Sequence, residues 1–254
     1  TEVGLCRAEI TYVRRHLKKW MKPRRVPGPK LFPLSRCRVV PEPLGVCLVI
    51  SPWNYPFGLA ITPLIACIAA GNCAVLKPSE VAANTERVLQ QMISECFDEK
   101  YVSVVSGGPD TSEELLRAGW DHIFYTGSER IARVVMTAAA QRVTPVTLEL
   151  GGKSPCIVAD DCDIDRTARR ITWGKFLNAG QTCVAPDYLL VQRGGKDKLV
   201  ARIGACILEF YGVDPQQSRD YGRIINERHF DRLNDLMKEG RVILGGKVDR
   251  EKLY

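Results

Sequence analysis

Cys183 stands in the segment Asn178-Ala179-Gly180-Gln181-Thr182-Cys183-Val184-Ala185-Pro186, a small, polar, turn-rich stretch behind a helical pattern. Substrate can reach a thiol on such a turn, and neighbouring dipoles can lower its pKa toward the nucleophilic thiolate. The other nine of the ten cysteines lie in apolar or helical contexts, as Cys47, Cys67 and Cys206 do, and read as small buried hydrophobes. Four further groups stand where apolar runs end: Ser51-Pro52-Trp53-Asn54, Lys77-Pro78-Ser79-Glu80, Thr126-Gly127-Ser128 and Glu149-Leu150-Gly151-Gly152-Lys153. Their amides, hydroxyls and carboxylates suit acid–base work and the holding of a polar ligand. Bland readings stand beside these. Lys77 and Glu80 also read as a surface i,i+3 ion pair, and Trp53 as a packing residue.

Elements must hold these groups in place. Apolar runs predict strands at 45–51, 74–77, 102–105, 122–126, 146–150, 155–158 and 188–192. Helical patterns lie at 9–21, 58–70, 84–97, 112–118, 130–140, 164–176 and 196–210, with Asn84 and Asp163 placed to act as N-caps. This alternation specifies an α/β fold with a mostly parallel sheet, and ligands of such sheets collect at the carboxyl ends of the strands. Those ends are where the polar groups stand. The natural seam is Gly151-Gly152, where a strand ends and the pattern restarts.

Composition narrows the field. Of 254 residues, 45% are hydrophobic and 26% charged, which excludes disorder and leaves room for one large domain or two modest ones. The net charge of +7 is local. Residues 1–38 hold eleven Lys or Arg against two Glu, whereas the remainder holds 25 basic and 27 acidic groups. That basic stretch reads as solvated surface, with no nucleic-acid module behind it. Pro43–Leu76 contains no charge at all, but Pro52, Pro56, Pro63 and Gly71-Asn72 break it up. It reads as buried strands and a buried helix, not a membrane span. No C-x-x-C pairs occur and three histidines cannot complete a zinc set, so no metal is expected, and the thiols point to a reducing, cytoplasmic compartment. The first residues show no charged-then-apolar start, so no signal peptide is expected.

Familiar motifs are absent as well. There is no G-x-G-x-x-G, H-E-x-x-H or G-x-S-x-G. Gly152-Lys153-Ser154 imitates the end of a phosphate-binding loop, but Thr147 occupies the position of its first glycine.

Five motifs nevertheless follow one another in a known order: Pro-Trp-Asn-Tyr-Pro (52–56), Lys-Pro-Ser-Glu (77–80), Tyr-Thr-Gly-Ser (125–128), Glu-Leu-Gly-Gly-Lys-Ser-Pro (149–155) and Gly-Gln-Thr-Cys (180–183). In them the chain resembles the NAD(P)-dependent aldehyde dehydrogenase superfamily. The flanks, such as Thr-Pro-Val-Thr-Leu-Glu-Leu (144–150) and Cys-Val-Ala-Pro-Asp-Tyr (183–188), are similar to its class 3 branch. The resemblance covers essentially the whole chain. It implies a Rossmann-like cofactor domain over 1–150 and the first part of an α/β catalytic domain over 151–254. Cys183 would be the nucleophile, Asn54 the oxyanion amide and Glu149 the base that activates water, in a partly desolvated setting. Lys77 and Glu80 would hold the adenosine ribose, with Ser51 and Trp53 nearby. Gly127 and Ser128 would flank the pyrophosphate, and Leu150 and Gly151 the nicotinamide. A carboxylate at position 80 favours NAD, with NADP tolerated. The implied substrates are medium- or long-chain aliphatic or aromatic aldehydes, and the implied assembly is a homodimer.

Two departures accompany the resemblance. Ala132 replaces a usual glycine, where its methyl would crowd the cofactor or simply pack differently. Relatives also begin before the point matching Thr1 and continue beyond Tyr254, with a Glu-x-Phe-Gly-Pro segment, so the chain reads as an incomplete member. Two other readings compete. One is a CoA-acylating dehydrogenase, which would not need Glu149. The other is a non-catalytic truncated homologue that acts as a binding module.

Overall fold

Val46–Ile50 is apolar at every position, so neither of its faces can be left to water. The computed structural model, which describes residues 2–32 and 34–254, places this segment at the centre of a five-stranded parallel sheet. The chain divides into two compact units, Thr1–Leu150 and Gly151–Tyr254.

In the first unit α1 (Glu2–Trp20) precedes a short antiparallel ribbon of β1 (Arg24–Val26) and β2 (Cys37–Val39). There follow β3 (Val46–Ile50), α2 (Gly58–Ala69), β4 (Cys73–Lys77), α3 (Ala83–Cys96), β5 (Val102–Val104), α4 (Pro109–Arg117), β6 (His122–Gly127), α5 (Glu129–Ala140) and β7 (Val146–Leu150). The sheet order is β5-β4-β3-β6-β7. Period-two alternation sorts side chains between its faces. Val49, Ala74, Leu76 and Val102 pack with Ala60, Leu64, Leu89 and Ile93 of α2 and α3. Leu48, Ile50, Ile123 and Tyr125 pack on the other face with Leu116, Ala132, Val135 and Ala139 of α4 and α5. Each fully buried leucine or isoleucine here contributes about 1.5–3 kcal/mol.

In the second unit β8 (Pro155–Val158) and β9 (Tyr188–Val191) pair in parallel across α6 (Ile164–Phe176), followed by α7 (Lys196–Tyr211) and α8 (Glu227–Met237). Val158, Ala168, Ile171, Leu199 and Cys206 form its core.

The fold corrects several local expectations. Asp163 caps α6 by accepting from the Arg166 backbone N–H at 3.0 Å, as its type suggests. Asn84 does not cap α3, because a 3-10 turn over Glu80–Ala82 leads straight into that helix at Ala83. The first helix starts at Glu2 instead of residue 9, because packing holds its first turns. Cys6 is buried, and the Glu2 carboxylate accepts from the N–H groups of Phe57, just before α2, and Gly58, its first residue, at 3.0 and 2.7 Å. The ribbon and α8 have no counterpart in the sequence reading. For α8 a signal existed: Asn226 accepts from His229 N–H as an N-cap, ahead of an amphipathic run.

Candidate active site

Strand order decides where a ligand can sit. From β3 the chain proceeds outward to β4 and β5, and from β6 it proceeds the other way to β7. The turns after β3 and β6 therefore diverge, and a crevice opens between them at the carboxyl ends of the strands. The first unit brings Ser51, Trp53, Asn54, Lys77, Glu80, Gly127, Ser128, Glu149 and Leu150 to these strand ends. Gly151 and Cys183 belong to the second unit.

Ser51 follows β3 directly. It is buried, and its backbone N–H donates to the Lys77 carbonyl at 3.1 Å. Its hydroxyl has no hydrogen-bond partner among the described residues, and such an orphan calls for a polar partner from elsewhere. Trp53 and Asn54 lie half-buried on the turn that leads to α2.

Lys77 ends β4, and its ammonium meets the Glu80 carboxylate at 2.8 Å. The pair exists but is only half at the surface: the Lys77 side chain is 3% exposed and the Glu80 side chain 41%. Burial pushes the Glu80 carboxyl up, yet hydrogen bonds from Lys77 and its own backbone outweigh this and hold it below the usual range. A depressed carboxylate pKa adds stability above the unfolded value of about 4.3 and loses it as pH falls through the folded value. Glu80→Gln is therefore expected to destabilise the protein near pH 7, with the difference from wild type closing in acid. Urea melts at about pH 7 and about pH 3 check this. A gap of equal size at both would show that shape, not charge, holds this corner.

Gly127 and Ser128 connect β6 to α5. A Cβ at Gly127 would collide with the Tyr125 hydroxyl, which donates to the Ser128 carbonyl at 3.3 Å. Ser128 caps α5 by accepting from the Ile131 N–H. Backbone N–H groups of a helix's first turn are a natural place for a phosphate. Sequence reasoning missed Tyr125 as the residue that shapes this turn, although it stands two positions before the glycine. Ala132 is 2% exposed and packs within the α4–α5 core, so its methyl simply fills core space.

Glu149 pairs with Thr126 in the sheet register. It is exposed, which corrects the expectation of a partly desolvated setting. Alternation along β7 turns Val146, Leu148 and Leu150 toward the α4–α5 core and leaves Thr147 and Glu149 on the opposite face. Gly151 has open space where a side chain would stand.

In the second unit Cys183 is exposed on the turn-rich loop between α6 and β9. Its carbonyl accepts from the Ser154 hydroxyl at 3.5 Å, and the Ala185 N–H donates to the Thr182 carbonyl at 3.2 Å. Most other cysteines are buried or half-buried. Burial pushes the Cys67 thiol up to about 12, which keeps it protonated and inert. Cys96 is the exception to the expected burial: α3 buries Leu89 and Ile93 and turns Cys96 outward. Among the described residues no cluster of His, Cys, Asp or Glu is arranged to hold a metal, and no helix is long and apolar enough to cross a membrane.

The family model described as "Aldehyde dehydrogenase family" matches residues 1–253. Aldehyde dehydrogenase family 3 member B2 of Mus musculus is 47% identical over the whole chain, which covers 53% of that protein. A solved structure described as the substrate bound state of Staphylococcus aureus AldH superposes with a TM-score of 0.94 at 43% identity, over 100% of this chain and 56% of the other. An aldehyde dehydrogenase of Mycobacterium tuberculosis complexed with NAD+ gives 0.85 at 29% identity, over 96% and 51% respectively. The chain thus spans about half the length of the curated relatives it matches.

Proposed function

Since this chain belongs to the aldehyde dehydrogenase family, in its class 3 branch, we propose that the whole protein oxidises aldehydes to carboxylic acids with NAD(P) through a thioester on Cys183. The observation that carries this reading is the exposed Cys183 on its polar loop, in the Gly-Gln-Thr-Cys segment. Substrates in this reading are medium- or long-chain aliphatic or aromatic aldehydes, and the assembly is a homodimer.

The residues present suit a dinucleotide. The orphaned Ser51 hydroxyl, the buried Lys77 ammonium and the N-terminal turn of α5 offer donors at adjacent strand ends. Lys77 and Glu80 would hold the adenosine ribose, Gly127 and Ser128 the pyrophosphate, and Leu150 and Gly151 the nicotinamide end. The Glu80 carboxylate repels a 2′-phosphate, so NAD is favoured and NADP tolerated. When bound, the dinucleotide supplies the oxidation by accepting a hydride.

The protein's own groups do the rest. Cys183 as thiolate adds to the aldehyde carbon and forms a C–S bond. Negative charge develops on the former carbonyl oxygen, where the Asn54 amide and the Cys183 backbone N–H donate to it. After oxidation the acyl group remains on sulfur as a thioester. Glu149 takes a proton from water, the resulting nucleophile attacks the acyl carbon, and the C–S bond breaks to return the thiolate and release the acid. Exposure of Glu149 leaves it open to that water.

The test is an aldehyde-dependent rise in NAD(P)H absorbance with the whole protein, with products analysed in the presence and absence of CoA. A carboxylic acid is expected in both. Acyl-CoA as the main product would assign a CoA-acylating enzyme, and no reduction with any aldehyde of these classes would overturn the reading.

A further inference from the structure

The loop before Cys183 is bent in an unusual way. Asn178 and Ala179 both adopt left-handed backbone, with φ of 54° and 52°, and Gly180 follows at 76°. Glycine tolerates this region, but side-chain-bearing residues enter it only when their surroundings hold them there. Two such residues in succession need a restraint.

The Asn178 side-chain NH2 contributes by donating to the Gln181 carbonyl at 3.4 Å, and the Gln181 side chain supplies the larger share. The Gln181 side-chain NH2 donates to the Asn178 carbonyl at 3.1 Å and to the Arg223 carbonyl at 2.9 Å. Its side-chain oxygen accepts from the Ile225 N–H at 3.0 Å. The backbone adds a Gln181 N–H bond to the Asn178 carbonyl at 3.1 Å. This amide thus helps to close the left-handed turn and ties it to a segment more than forty residues later in the chain. That segment is itself anchored, since the Ile224 N–H donates to the Leu253 carbonyl at 2.9 Å. Gly222 packs under the turn, where a Cβ would lie 3.3 Å from the Ala179 nitrogen.

We infer that Gln181 is a positioning residue for Cys183: its amide holds the left-handed Asn178–Gly180 turn against residues 223–225 and thereby sets where the thiol sits. The inference rests on the reading of Cys183 as the nucleophile. Only Thr182 separates the two residues, so a relaxed turn displaces the sulfur from its line of attack. Displacements of about 1 Å can cost about a hundredfold in rate. Aldehyde and dinucleotide binding need not change with it.

The test compares Gln181→Ala and Gln181→Glu with wild type in the whole protein. Activity is normalised to titrated NAD+-binding sites, so that misfolded molecules do not count. Gln181→Ala is expected to lower kcat per site by about tenfold or more, with aldehyde KM within about threefold, and to change the rate at which iodoacetamide alkylates Cys183. Gln181→Glu keeps the acceptor for Ile225 but loses both donated bonds, and an intermediate kcat is expected. If Gln181→Ala fails to fold, Gln181→Glu decides on the same criteria. A kcat per site within twofold of wild type, with unchanged alkylation, overturns the inference. Wild-type turnover in Cys183→Ala would instead overturn the reading beneath it.

Discussion

Cys183→Ala is expected to lower aldehyde-dependent turnover by at least about a thousandfold and to leave cofactor affinity within about twofold. Alanine removes the only atom able to form the covalent adduct and replaces it with nothing larger, so the loop keeps its shape. Cys183 lies in the second unit, whereas the groups proposed to hold the dinucleotide lie almost entirely in the first. Cofactor binding and chemistry should therefore separate cleanly. Stopped-flow turnover and cofactor titration on the same preparation check both halves. Cys96 is the natural control, being the other exposed cysteine, and Cys96→Ala should behave as wild type. Turnover in Cys183→Ala within tenfold of wild type would assign the attack to another group.

Glu149→Gln is expected to cut steady-state turnover by about a hundredfold to ten-thousandfold while leaving acylation nearly intact. Glutamine keeps the shape of the side chain but cannot take a proton from water. The acyl group should then accumulate on sulfur, giving one rapid equivalent of NADH per site followed by a slow phase. Hydroxylamine, a nucleophile that needs no base, should restore turnover and yield a hydroxamate. Loss of the rapid phase itself would place Glu149 before the thioester and not after it.

The sequence made much of this architecture legible because the informative signals are local. A short, β-branched apolar run such as Val46–Ile50, bounded by Gly45 and Pro52, reads as a buried strand, and its ends fall within about a residue of those expected. What escaped was set by partners far along the chain. The start of α1 depends on the Glu2 carboxylate reaching Phe57 and Gly58. A short ribbon such as β1–β2 carries too few residues to show a period. Asn84 has the right type for a cap, but the 3-10 turn ahead of it changes where the helix begins.

The candidate site divides along the same line. By itself the sequence determined which groups stand at the strand ends, Asn54, Lys77, Glu80, Ser128 and Glu149 among them, and that one cysteine lies on a polar turn. Side-chain type and position along a strand are local properties, so no packing was needed to read them. Tertiary structure alone decided that Lys77 is buried and Glu149 exposed, that Ala132 points into the core, and that Gln181 ties its loop to Arg223 and Ile225. Burial and long-range hydrogen bonds depend on which element folds over which, and the order β5-β4-β3-β6-β7 sets that only once all five strands have paired.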